Sequence, residues 1–183
     1  MNRHIADKNR FNNLIDNAKR VRDELTSLMK QRPGQVHFRP GADGISMVSL
    51  LPNSPQMGLS KIPNLEKFAA EFEALFEKHC VLPSPGKPTP EKSLQSWLIS
   101  KALTHPERML PFEGLDLVFC TDEIPVYLEV GKKVVCDLLV VRKQKDGYAP
   151  VQIELKSARE MARLIEQIKD YSPVIEANLS QYS

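Results

Sequence analysis

The stretch Val134–Ala158, "VVCDLLVVRKQKDGYAPVQIELKSA", decides the fold. It opens with Val, Val, Cys, Asp, Leu, Leu, Val, Val, so valines and leucines stand on both faces of the pleat and neither face reads as solvated. Asp137 lies in the middle of that run. A carboxylate there costs several kcal/mol unless something pairs with it. The Asp-Gly pair at 146–147 is a hairpin signal, so the next run, "PVQIELKS", returns antiparallel to the first. Alternation along Val151–Lys156 sends Val151, Ile153 and Leu155 to one face and Gln152, Glu154 and Lys156 to the other. One face is core. The other carries an amide, an acid and a base, and the hairpin can bring Asp137 beside Glu154.

Two carboxylates a few ångströms apart repel, so one takes a proton or a cation sits between them. Mg²⁺ (or Mn²⁺) prefers oxygen ligands and keeps several waters. Asp137, Glu154 and the Leu155 carbonyl supply about three positions, with water and a substrate phosphate for the rest. Lys156 is placed to orient a water or to stabilise developing negative charge. A simple buried ion pair between Asp137 and Lys156 is the competing explanation.

Upstream, "PTPEKSLQSWLISKAL" has the signature of a helix, with Thr89 as N-cap, Pro90 at the first helical position and Leu94, Trp97, Leu98 and Ala102 as its buried stripe. "GLDLVF" reads as a short strand, and "IPVYLEV" pairs with "KKVVCDLLVV" across Gly131. Downstream, "AREMARLIEQIKDY" is a helix stopped by Pro173. Gln167 and Tyr171, four apart, share one face of it. The order is helix, two or three antiparallel strands, helix, an α/β layer.

Asp137 followed by Glu154-x-Lys156 across a hairpin, after a helix carrying Glu91, resembles the PD-(D/E)XK nuclease superfamily. Cys136 stands where that motif usually has proline. Gln167 and Tyr171 look like the Gln-x-x-x-Tyr motif of its RecB-type branch. The resemblance covers residues 89–173. It implies a restriction-endonuclease-like core and a metal-dependent nuclease acting on DNA in repair, restriction or defence. Asp137, Glu154, the Leu155 carbonyl and Glu91 would hold Mg²⁺, Lys156 would position the nucleophile, and Gln167 and Tyr171 would support the site. Glu91 as a plain first-turn acid, Gln167 and Tyr171 as ordinary helix residues, and Glu129 as a rival third acid stay open. So does a catalytically silent module on the same scaffold, or a plain interaction protein. The superfamily's last strand has no counterpart in "SPVIEANLSQYS".

The first 82 residues lie outside the resemblance. Phe11, Leu14, Ala18, Val21, Leu25 and Leu28 form an apolar seam on a helix expected over residues 4–31. It serves either packing on its own domain or a homodimer. "QVHFRPGADGISMVSLLP" is a hairpin, and "IPNLEKFAAEFEALFEKHC" a second amphipathic helix capped by Asn64. The proline-rich "VLPSPGKPTP" separates a helix-hairpin-helix module (1–82), a dimerisation or partner arm, from the nuclease-like domain (83–183).

Composition is that of a soluble globular chain: 183 residues, 42% hydrophobic and 26% charged, with net charge +2. That charge is too small to imply nucleic acid by itself, although residues 1–32 hold eight bases against four acids. No apolar run reaches membrane-span length. Three widely spaced cysteines, Cys80, Cys120 and Cys136, argue against a disulfide framework and for a reducing cytoplasm. The four histidines show no ligand spacing and read as structural.

Overall fold

The structure is a computed structural model that describes residues 8–82, 89–127 and 133–156. Helices α1 (Lys8–Arg20) and α2 (Thr26–Gln31) are joined by a π-helical turn, Val21–Leu25. Strands β1 (Val36–Gly41), β2 (Gly44–Ser49) and β3 (Gly58–Leu59) form one antiparallel sheet. Helices α3 (Leu65–Ala70) and α4 (Phe72–Phe76) follow, with a second π-helical turn, Glu77–Val81. Helix α5 (Pro90–Thr104) precedes a second antiparallel sheet of β4 (Leu117–Tyr127), β5 (Lys133–Gln144) and β6 (Gly147–Ile153). The chain is thus mixed α/β, with two three-stranded sheets. Among the described residues no helix is long and apolar enough to cross a membrane.

The first core forms where the helix seam meets the hairpin. Leu25 and Leu28 pack with Val36, Phe38, Ile45 and Met47, while Phe68, Phe72 and Phe76 close it from the other side. Phe38 meets Phe68 edge-on at 5.7 Å between ring centroids, a favourable aromatic geometry. Phe11 and Leu14 are buried as well, so these seam residues serve the chain's own packing. Asn17 Nδ2 donates to the Gly41 carbonyl at 2.8 Å, which seats α1 on the hairpin tip. Asn64 caps α3 as expected, accepting from the Lys67 N–H at 2.8 Å. The expected single helix after it is interrupted at Glu71, whose N–H is shared between the carbonyls of Lys67 and Phe68.

In the second sheet β5 is central and paired along both edges, and its apolar residues are buried on the face of Leu138 and Val140 and, at Leu139, on the other. Leu138 and Val140 are wholly buried with Leu98, Ile99, Ala102 and Phe119. Leu50, from the end of β2, joins this second core. Thr89 caps α5 through the Lys92 N–H at 3.3 Å. The buried face of α5 differs from expectation. Leu98 and Ala102 face inward, but Leu94 and Trp97 are 45% and 48% exposed, and Gln95 and Ser96 are buried instead. The polar pair turns inward because it has partners there. Gln95 Nε2 donates to the Asp137 carbonyl at 2.8 Å, and Ser96 Oγ accepts from Gln56 Nε2 at 3.0 Å.

The strands expected at "GLDLVF" and "IPVYLEV" are one. β4 runs unbroken through Thr121-Asp122-Glu123, with a bulge between Phe119 and Thr121. This places Asp122, which has no exposed surface, opposite β1. His37 Nε2 donates to its carboxylate at 3.0 Å, and Arg39 grips both its oxygens, with Nε at 3.0 Å and Nη2 on the other. Arg39 Nη1 also donates to Glu123 at 2.8 Å, and its Nη2 to the Gln56 side-chain carbonyl. Residues on either side of 83–88 are therefore tied by buried ion pairs. The Ser100 hydroxyl donates to the Gly34 carbonyl at 2.6 Å and adds a further tie.

Burial by itself pushes the Asp122 carboxyl up, but Arg39 and His37 outweigh it and hold the group well below the usual carboxylate range. Its contribution to stability is therefore complete above its unfolded value, ~3.9, and drains away as pH falls below that. Asp122→Ala is expected to lower unfolding free energy at pH 7 by about 3 kcal/mol or more, since it leaves a buried guanidinium short of its main partner. In urea titrations run from pH 7 down to pH 2, the parent should lose stability more steeply below about pH 4 than Asp122→Asn does.

Candidate active site

The β5–β6 register pairs Leu138 with Ile153 and Leu139 with Gln152. One step further brings Asp137 level with Glu154. Here the strand differs from the expectation: β6 ends at Ile153, and Glu154, Leu155 and Lys156 continue past its end. The ladder gives way because the Leu155 N–H turns to the Asp137 carboxylate, donating to Oδ2 at 2.7 Å. Leu155 itself remains buried in the second core. Asp137 is thus fixed from two directions, by Leu155 at its carboxylate and by Gln95 at its main-chain carbonyl.

Glu91, Lys92, Gln95, Asp137, Leu155 and Lys156 line one cleft of about 220 Å³. Four of the five site residues or ligands expected from the hairpin and the preceding helix thereby meet: Glu91 from α5, Asp137 from β5, and Leu155 and Lys156 from beyond β6. Glu154 is not part of the lining. It forms an ion pair with Lys156 at 2.6 Å, and both side chains are largely buried. Gln167, Tyr171 and the rival acid Glu129 lie outside the described residues.

Half-buried Asp137 is held above the ordinary aspartate range, chiefly by burial and also by the neighbouring Glu154. The Leu155 N–H, Lys156 and Lys92 oppose the rise without cancelling it. A carboxyl in that state is relieved by a proton or by a cation. The oxygens around it are of the type Mg²⁺ takes: the carboxylates of Asp137 and Glu91 and the Leu155 carbonyl. The donor set fits a divalent cation in its chemistry, although among the described residues no three His, Cys, Asp or Glu side chains are gathered closely enough to hold one by themselves. Cys136, in the place of the motif's proline, is a buried thiol that burial, with Glu154 nearby, pushes up to about 12. It is inert packing rather than a nucleophile.

Three cleft and support residues escaped the sequence. Lys92 and Gln95 sit on the first turns of α5, and only their spacing, Gln95 four after Glu91 and three after Lys92, could have flagged a shared face. Glu123 is the third; its carboxylate pairs with both Lys92 and Arg39. Comparison of the chain with protein-family profiles, curated proteins and solved structures finds no match.

The upward push on Asp137 means that its ionised form opposes folding in the absence of a cation. Asp137→Asn keeps an acceptor for the Leu155 N–H and removes the charge. Its thermal midpoint at pH 7.5 in EDTA is expected to exceed the parent's, modestly, because water screens a half-exposed group. As pH falls through the folded-state titration of Asp137 toward the unfolded value of ~3.9, the parent takes up the proton and the difference should close. A lower midpoint for Asp137→Asn at pH 7.5 would contradict this account.

Proposed function

We propose that the chain is a metal-dependent nuclease that hydrolyses phosphodiester bonds in DNA, on a restriction-endonuclease-like core formed by α5, β4, β5 and β6. One observation carries this reading. Glu91, Asp137, Leu155 and Lys156, drawn from a helix, a strand and the segment beyond a third strand, line a single cleft. Asp137, Glu91 and the Leu155 carbonyl would hold Mg²⁺ or Mn²⁺, with Glu154 adding its charge behind Lys156. The bound ion would neutralise phosphoryl oxygens and make water easier to deprotonate.

The chain's own groups do the rest. Gln95 and the Leu155 N–H keep Asp137 in place, so its carboxylate meets the cleft in a fixed orientation. Lys156 presents an ammonium steadied by Glu154, suited to orienting a water or stabilising negative charge as the bond to phosphorus forms. Leu155 anchors this end of the cleft by burying its side chain in the second core.

A catalytically silent nucleic-acid-binding or protein-interaction module is the second reading. The Glu154–Lys156 pair favours it, because each group already satisfies the other's charge. Turnover separates the two. Supercoiled plasmid and single-stranded DNA incubated with Mg²⁺ or Mn²⁺ should be nicked or degraded by the parent and spared in EDTA. Asp137→Ala and Lys156→Ala should each lower the rate by about 10²-fold or more, the scale of losing one group that stabilises transition-state charge. A folded parent that leaves both substrates intact with either metal would sink the nuclease reading.

A further inference from the structure

Lys92 follows Glu91 on the first turn of α5 and lines the same cleft as Asp137 and Lys156. Its ammonium pairs with one carboxylate oxygen of Glu123 on β4, and the other oxygen takes Arg39 Nη1 at 2.8 Å. Its charge also reaches Asp137 on β5. Lys92 thus stands between acids of two neighbouring strands, with its side chain 42% exposed. A lysine ammonium has three donors, and Glu123 engages one oxygen's worth of them.

The Glu123 backbone is in the left-handed region, with φ of +43°. For a non-glycine residue inside a strand this is a strained conformation, and such strain collects where a side chain must be held in one place. Gln56, which also accepts from Arg39, is left-handed too, with φ of +65°. Two strained residues therefore converge on Arg39, and one of them delivers its carboxylate to a cleft lysine.

The cleft already carries the acids Glu91 and Asp137, which repel a phosphodiester. Both of its lysines are ion-paired, Lys92 with Glu123 and Lys156 with Glu154, but the Lys92 side chain is 42% exposed against 15% for Lys156, so it is Lys92 that an incoming phosphate can reach. Building on the nuclease reading of this cleft, we propose that Lys92 contacts a phosphate of the bound DNA strand beside the one attacked, and that Glu123, held by Arg39 of β1, fixes its ammonium there. Lys92 is then a substrate-binding residue. Glu123 and Arg39 are positioning residues, and the first 82 residues take part in substrate binding through them.

The test uses the full chain and fluorescein-labelled single-stranded and duplex oligonucleotides. Binding is followed by anisotropy in Ca²⁺ across a salt series, and cleavage kinetics are measured in Mg²⁺. Lys92→Gln should raise Kd and KM about tenfold, with kcat changed far less, as expected for one lost charge-assisted hydrogen bond. The salt dependence of its binding should fall by about one phosphate contact, a slope change of ~0.7–0.9. Lys92→Arg should keep the parent's slope. Glu123→Gln distinguishes positioning from bulk charge. Removing an acid near a polyanion would tighten binding if only net charge mattered, whereas loss of the lysine's anchor should weaken it. Thermal melts of each variant confirm folding. Parent-like Kd, KM and salt slope in Lys92→Gln overturn the proposal and leave the nuclease reading standing. Tighter binding by Glu123→Gln overturns the positioning role. A parent that neither binds nor cuts overturns both readings.

Discussion

Asp122 has no surface of its own in contact with water, and Arg39 holds both of its oxygens. The rest of the structure depends on that pair. Taking both charges out of water costs several kcal/mol each, so the pair is weak support for net stability but a strong constraint on geometry. Neither partner can move without leaving the other buried and unpaired. β1 is therefore locked against β4, and His37, donating to the same carboxylate, fixes the register further. The constraint then spreads to α5. Gln56 accepts from Arg39 and donates to Ser96, and Glu123 accepts from Arg39 and from Lys92. Two contacts on one face of α5 set its rotation, which is why Gln95 and Ser96 point inward and Leu94 and Trp97 do not.

What the sequence makes legible is what depends on neighbours a few residues away. The seam from Phe11 to Leu28, the hairpin closed at Gly41–Gly44, the caps at Asn64 and Thr89 and the Asp-Gly turn before β6 are all local patterns, and each forms as its spacing implies. The cleft is legible for the same reason. Asp137, Leu155 and Lys156 are joined by one hairpin, so alternation and turn length suffice to bring them to one cleft, while Glu154, expected beside them, pairs with Lys156 outside its lining.

The ion cluster is illegible because its partners lie far apart in the chain. Arg39 and Asp122 are 83 residues apart and His37 and Asp122 are 85, and neither separation leaves a periodic trace. Thr121-Asp122-Glu123 looks like a turn between strands, since three polar residues rarely cross a core. The ladder to β5 carries it through as a strand, and Arg39 and His37, invisible from that segment, satisfy its buried carboxylate. The same cause hides the inward face of α5. Hydrophobic periodicity finds apolar stripes, and it fails where a helix buries polar groups that have distant partners.

Asp122 and Asp137 show how context decides the role of one residue type. Asp122 is the more deeply buried, yet its carboxyl is pulled down, because two side-chain donors from another sheet meet it. Asp137 is only half-buried, yet its carboxyl is pushed up, first by that burial and then by Glu154, and the Leu155 N–H, Lys156 and Lys92 do not cancel the rise. Asp122 has no exposed surface, and Arg39 and His37 already compensate its charge. Asp137 is held firmly in position but left short of positive charge, and it faces a cleft. A carboxylate fixed in place and undercompensated is what a cation-binding reaction centre requires, since the energy withheld from folding is returned when the ion or a proton arrives. On the proposed reading, the buried pair at Asp122 supplies the rigidity that lets Asp137 remain in that state.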